Sequence, residues 1–165
     1  ETLKIGNPEK EETFMASMAR TDLANELKKQ VDDSVKKGAK VLLGNTLSKA
    51  NYAPTILTDV TEEMPVFKEE TFGPVAAIVK AKNKKHSLEL ANNSRFGLGA
   101  MLFTEDLDAA RESIDAIEDG AFFVNEMVKS DPRLPFGGTK ASGYGRELSK
   151  EGILAFVNKK TVYIK

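Results

Sequence analysis

The chain has 165 residues, with 24 Lys and Arg against 25 Asp and Glu and a formal net charge of −1. A chain of this length can close one ordinary core, burying roughly 70% of its unfolded surface, while the balanced charge and a pI of about 6.0 give neither nucleic acid nor an anionic membrane the concentrated basic face it needs. Cysteine is absent, which excludes disulfides and any thiol nucleophile drawn from this chain.

No apolar run approaches the roughly 18 residues of a membrane span, and no signal-peptide pattern opens the chain. The default is a soluble, cytoplasmic protein. The chain starts on Glu1, which reads as a start inside a longer reading frame or the removal of an upstream part. Residues 1–17 have little periodicity, and Gly6-Asn7-Pro8 reads as a turn. From 21 to 37 the apolar residues Leu23, Leu27, Val31 and Val35 recur every four positions, predicting a helix capped by Thr21 or Asp22 and ended by a left-handed Gly38. Residues 39–43 predict a short buried strand, 54–60 a second and 75–81 a third. A short helix is expected at 88–93 with Ser87 as its cap, and a strand at 100–104. Leu107, Ala110, Ile114 and Ile117 then mark one face of a helix ending at Gly120, followed by a strand at 121–125. A helix at 148–156, capped by Ser149, and a terminal strand at 161–164 complete the series.

Alternating strands and helices at this spacing predict an α/β fold, a mainly parallel sheet with flanking helices and right-handed crossovers. Ligands in such sheets gather at the carboxyl ends of strands, where the loop after Asn125 leaves. The terminal strand has no hairpin partner, and its unpaired backbone calls for pairing with another segment or subunit. The division expected is a body at 1–157 and a terminal strand segment at 158–165 that pairs with another segment or, as an oligomerisation strand, with another subunit.

Two stretches carry chemistry. In Pro135-Phe136-Gly137-Gly138-Thr139-Lys140-Ala141-Ser142-Gly143-Tyr144-Gly145-Arg146-Glu147 four glycines fall within thirteen positions, which calls for positive φ or a close approach to the backbone. Generic glycine motifs do not account for it. A dinucleotide fingerprint from Gly143 and Gly145 fails at Leu148, a phosphate loop from Gly138 and Gly143 fails at Tyr144, and a nucleophile elbow at Ser142 fails at Lys140. The other stretch is Glu69-Glu70-Thr71-Phe72-Gly73-Pro74-Val75, where a carboxylate can only accept hydrogen bonds, as ribose hydroxyls require, and Phe72 offers a flat apolar face. By itself it would also fit a solvated acidic pair beside a core aromatic.

Together these stretches resemble the aldehyde dehydrogenase superfamily. The first resembles its C-terminal signature and the second its glutamate-phenylalanine-glycine-proline motif, in the family's order, with Ala91-Asn92 and Phe96-Gly97-Leu98 between them. The phrase Met127-Val128-Lys129-Ser130-Asp131-Pro132-Arg133 is similar to that of bacterial succinate-semialdehyde dehydrogenases. The resemblance implies the C-terminal part of a catalytic domain that uses NAD or NADP, with Glu70 on the nicotinamide ribose and Phe72 on the nicotinamide. It implies Ser130 as a ligand for the remote carboxylate of the aldehyde, Phe136 as a tunnel wall, Glu147 as an organiser of the hydrolytic water, and Arg146 as a structural ion-pair partner. It also implies that the last strand joins a homo-oligomeric sheet, and that the nucleophilic cysteine, general base and most of the coenzyme site precede Glu1, leaving the chain inactive alone. On the residues themselves Glu147 also fits an exposed ion pair with Arg146, and Arg133 either assists at the substrate carboxylate through its guanidinium fork or is an ordinary surface arginine. His86 stands in a lysine-rich turn without a second ligand, so no metal site is expected there. Lys82, Lys84 and Lys85 read as a solvated turn. A second reading, a free-standing module for oligomer assembly without chemistry, rests on the terminal strand.

Overall fold

The periodic segment after Arg20 forms helix α1 (Thr21–Lys36) in a computed structural model that describes residues 3–165. Its buried face carries Ala24, Leu27, Val31 and Ser34, while Val35 is exposed. A strict spacing of four drifts around a helix of 3.6 residues per turn, so the inward face follows spacings of three and four instead. Neither Thr21 nor Asp22 caps the helix: Arg20 is the N-cap without a side-chain cap bond, and Asp22 pairs with Arg20. Gly38 takes the expected left-handed backbone, with φ of +111°.

The chain divides into two compact units, Glu1–Lys80 and Ala81–Lys165, a boundary the sequence reading did not contain. In the first, α1 is followed by β1 (Lys40–Leu43), β2 (Leu47–Ser48), β3 (Asn51–Tyr52), β4 (Thr55–Thr58), helix α2 (Pro65–Lys68) and β5 (Val75–Ala77). Strand β4 is central, antiparallel to β1 and parallel to β5, and β2 pairs with β3. Thr55 and Leu57 of β4 are buried, but β1 is largely exposed, with Leu42 at 63%. The buried strand expected at 39–43 is thus an edge strand, partnered on one side only. Leu27, Val31, Tyr52, Leu57, Met64 and Val66 form the core. Inside it the Ser34 hydroxyl donates to Gln30 O at 2.9 Å and accepts from Val66 N at 3.1 Å, joining α1 to α2.

The second unit contains α3 (Lys84–Asn92), β6 (Phe96–Gly97), β7 (Ala100–Leu102), α4 (Leu107–Glu112), a 3-10 turn (Ile114–Ala116), β8 (Phe122–Val124), β9 (Thr139–Lys140) and α5 (Ser149–Leu154). Helix α3 begins before the expected residue 88 because Asn83 Oδ1, and not Ser87, accepts from a first-turn amide, His86 N at 2.9 Å. The helix expected through Ile117 stops at Glu112; the buried Ser113 donates back to Ala109 O at 2.7 Å and the chain tightens into the 3-10 turn. Ser149 starts α5 instead of capping it, since Leu148 is the N-cap and makes no side-chain cap bond. Strands β7 and β8 are parallel around α4, and β6 and β9 are antiparallel.

The described strands therefore form one three-stranded and three two-stranded sheets of mixed sense instead of a single mainly parallel one. Both parallel pairs, β4–β5 and β7–β8, enclose a helix, which keeps the α/β character. Residues 158–165 are exposed, and 161–164 pair with no strand among the described residues. No described helix is long and apolar enough to cross a membrane.

Candidate functional site

In the first unit, the segment carrying Glu70 and Phe72 is fastened on both sides. Glu69 N donates to Pro65 O at 2.9 Å. Gln30 of α1 reaches across with Nε2 to the carbonyls of Pro65 and Glu69, both at 3.2 Å, and Glu70 at 3.4 Å. Beyond Phe72, Gly73 N donates to Thr71 O and Val75 N to Gly73 O, and Pro74 O accepts from Thr55 N where β5 enters its sheet, each at 2.8 Å. A Cβ on Gly73 would stand 2.4 Å from Leu27 Cδ2, so glycine lets this backbone lie against α1. Between these anchors Phe72 is 75% exposed, and the exposed Glu70 carboxylate has no partner among the described residues.

Leaving an aromatic side chain in water forgoes about 1.5–3 kcal/mol of burial. Nothing in the packing of the unit requires that, because the backbone beneath the ring is already held. A fixed loop presenting a bare ring and a bare acceptor fits a nucleoside, whose flat base stacks while its hydroxyls donate.

In the second unit, Phe136 and Glu147 exchange both backbone hydrogen bonds, at 2.9 and 2.8 Å, and close the glycine-rich segment into a loop. Gly143 and Gly145 have φ of +102° and +91°. Gly137 and Gly138 serve close approach, since a Cβ on either would come within 2.5 Å of Gly145 O or Ser142 Cβ respectively. Beside the loop lies a cleft of about 830 Å³ whose walls include Phe136, Tyr144, Glu147, Ile153 and Phe156. Glu147 is exposed there with no side-chain partner among the described residues.

The fold thus brings the sequence candidates Phe136 and Glu147 together and leaves Ser130 exposed and outside the cleft wall. Arg133 is committed elsewhere: its Nη2 and Nε meet Asp131 Oδ2 and Oδ1 at 2.6 and 2.9 Å. This forked contact holds the Asp131 carboxyl well below the ordinary range. His86 plays a local part, accepting from Lys82 N through Nδ1 at 3.1 Å, and the described residues contain no cluster of metal-ligating side chains.

One residue of the site, Gln30, was missed from sequence, and Arg146 plays a part other than that of the ion-pair partner expected. Arg146 makes no ion pair with Glu147; its Nη1 donates to Gly138 O at 2.9 Å and Gly145 O at 2.7 Å, clasping the loop from within. Gln30 steadies Glu70 from forty positions away. The one local signal was an arginine set among glycines, whose carbonyls are open to a guanidinium.

Comparison with known proteins adds a second line of support. The model of the aldehyde dehydrogenase family matches residues 1–162. The chain is 49% identical over 164 residues to the NAD(P)+ succinate semialdehyde dehydrogenase Sad of Escherichia coli (strain K12), covering 98% of this chain and 36% of that protein. It superposes with a TM-score of 0.92 and 36% identity on succinic semialdehyde dehydrogenase from Streptococcus pyogenes in complex with NADP+, over 99% of this chain and 36% of that one. Against aldehyde dehydrogenase 21 from Physcomitrella patens in complex with the reaction product succinate, the TM-score is 0.88 at 34% identity, over 92% of this chain and 32% of that one. The chain spans about a third of the length of the curated relatives it matches.

Proposed function

The chain belongs to the aldehyde dehydrogenase family, and from that premise we propose that it is the C-terminal part of a cytoplasmic, NAD(P)-dependent enzyme oxidising succinate semialdehyde to the acid. The observation that carries the reading is Phe72, 75% exposed over an anchored backbone and two residues from an unpartnered carboxylate. Glu70 accepts from the ribose hydroxyls and Phe72 packs against the nicotinamide. Bound NAD or NADP supplies the hydride acceptor. On the aldehyde side Phe136 forms a wall, Ser130 takes the distal carboxylate, and Glu147 orders water for hydrolysis. A chain with no cysteine cannot itself provide the thiolate that attacks the aldehyde, so turnover belongs to the complete enzyme and the chain alone is inactive. Residues 158–165 serve as a strand added to the sheet of another copy, with Tyr163 and Ile164 exposed for that purpose.

The test uses the complete enzyme. Glu70→Gln is expected to lower turnover by roughly tenfold or more, and Glu69→Gln by far less. Unimpaired turnover in both variants would remove the coenzyme role. Ser130→Ala should raise KM for succinate semialdehyde more than KM for an uncharged aldehyde; an equal change for the two would take Ser130 out of substrate binding. A non-catalytic assembly module leaves Glu70 without a task, and the same pair of glutamate variants tells the two readings apart.

A further inference from the structure

Lys140 is the last residue of β9, in the arm of the glycine-rich loop that does not line the cleft. Its backbone is left-handed, with φ of +51°, a conformation that strains a residue with a Cβ. An attachment elsewhere must offset that strain. The side chain is 26% exposed, and its Nζ donates to Asn92 O at 2.8 Å and Ser94 O at 3.2 Å and pairs with Glu118 Oε2 at 2.6 Å. Three acceptors use all three donors of an ammonium. Two of them are carbonyls at the C-terminal end of α3, where helical partners run out and the dipole is negative.

The backbone attachment of the same arm is slight. Strands β6 and β9 pair over two residues each, supplemented by Ala141 N to Arg95 O at 2.8 Å, Gly97 N to Ser142 Oγ at 3.0 Å, and Thr139 Oγ1 to Glu118 O at 2.7 Å and Gly97 O at 3.2 Å. Such a short ladder is marginal without further support. Beyond it the chain runs through Gly143 and Gly145, around which an added Cβ would meet nothing within 4 Å, until the Phe136–Glu147 backbone pair and the Arg146 contacts hold it again.

We propose that Lys140 is a positioning residue for the cleft: by pinning β9 to the end of α3 and to Glu118, it sets where residues 142–147 stand opposite Phe136. The inference rests on the reading of this cleft as the aldehyde side of a dehydrogenase. The side-chain partners of Lys140, namely Asn92, Ser94 and Glu118, lie outside the cleft wall, so losing that side chain loosens the cleft without deleting a contact inside it. The aldehyde KM should therefore respond more than kcat, and the coenzyme KM not at all.

Three variants of the complete enzyme test this. Lys140→Met removes the charge and keeps the strain, Lys140→Gly removes both, and Lys140→Arg keeps a cation. We expect Lys140→Met and Lys140→Gly to raise the aldehyde KM roughly tenfold with kcat within about twofold, and Lys140→Arg to stay within about threefold of the parent. Amide exchange at Ser142, Gly143 and Glu147 should quicken in the first two variants and stay unchanged in α1. Unaltered kinetics and exchange in Lys140→Met would overturn the proposal. So would full recovery in Lys140→Gly, which would make strain the whole effect, or a uniform loss in kcat and both KM values that Lys140→Arg does not rescue. If the parent enzyme fails to oxidise the aldehyde, the functional reading falls by itself, and the exchange rates still decide whether Lys140 tethers the loop.

Discussion

At the scale of single residues, the second unit uses glycine for two separable reasons. A Cβ on Gly120 would lie 1.9 Å from Gly137 O and 3.0 Å from Gly138 Cα, so backbone rather than a movable side chain blocks it. Gly120→Ala is expected to lower stability by about 1–3 kcal/mol, as overpacking does. Gly143 has open space around it, and its φ of +102° is the whole obstacle; Gly143→Ala should cost about 1 kcal/mol through backbone strain alone. Denaturation midpoints of the complete protein compare the two, and an Ala at 120 tolerated without loss would mean the loop start yields freely. Asp131 supplies a pH-dependent counterpart. Its folded pKa is lowered, chiefly by the Arg133 side chain, so the pair helps the folded state above the ordinary carboxyl value near about 4 and stops helping as pH falls through the lower folded value. Arg133→Gln is expected to raise the Asp131 titration, followed by NMR, toward the ordinary carboxyl value, with the amide of residue 133 still holding it somewhat below. A titration that stayed as low as in the parent would assign the effect to the backbone of the turn.

At the scale of elements, α1 was legible because a long amphipathic period and Gly38 agree, whereas the cap of α3 was not. The apolar spacing placed its start at Ser87, but Ser87 Oγ donates to Lys84 O at 2.7 Å while Asn83 accepts from the first turn. Asn83→Ala should therefore cost about 1 kcal/mol and Ser87→Ala less than about 0.5 kcal/mol. The reverse order in thermal melts would restore the cap to Ser87. Helix α2 and strands β2, β3, β6 and β9 went unseen because elements of two to four residues carry too little periodicity; their pairing is set by distant partners. Strand β1 had the right apolar content and the wrong burial, since local pattern cannot report whether a second neighbour covers an edge. The same limit applies at the site. Glu70, Phe72, Phe136 and Glu147 stood in recognisable motifs, but the support from Gln30 is a long-range hydrogen bond and that from Arg146 a contact folded back within its own loop, and no spacing rule encodes either.

At the scale of the molecule, burial is unequal between the units. Leu27, Val31, Tyr52, Leu57 and their neighbours give the first a continuous core, whereas Ala110 is the only buried apolar residue described in the second. There Phe103, Ile114, Ile153 and Phe156 are 63%, 53%, 69% and 93% exposed. Apolar burial is what offsets about 1–2 kcal/mol of backbone entropy per ordered residue, so the isolated 165-residue chain should hold its first unit more firmly than its second. Hydrogen exchange on that chain is expected to find amides of β7 and β8 exchanging at least roughly tenfold faster than those of α1 and β4. Adding NADP and succinate semialdehyde to the same sample should yield no reduced coenzyme, because the chain has no thiol with which to attack the carbonyl. Equal protection in β7, β8 and α1 would mean that hydrogen bonding and small contacts suffice to order the second unit. Saturable coenzyme reduction would mean that some group other than a cysteine performs the attack, and the assignment of the nucleophile to the rest of the enzyme would then be lost.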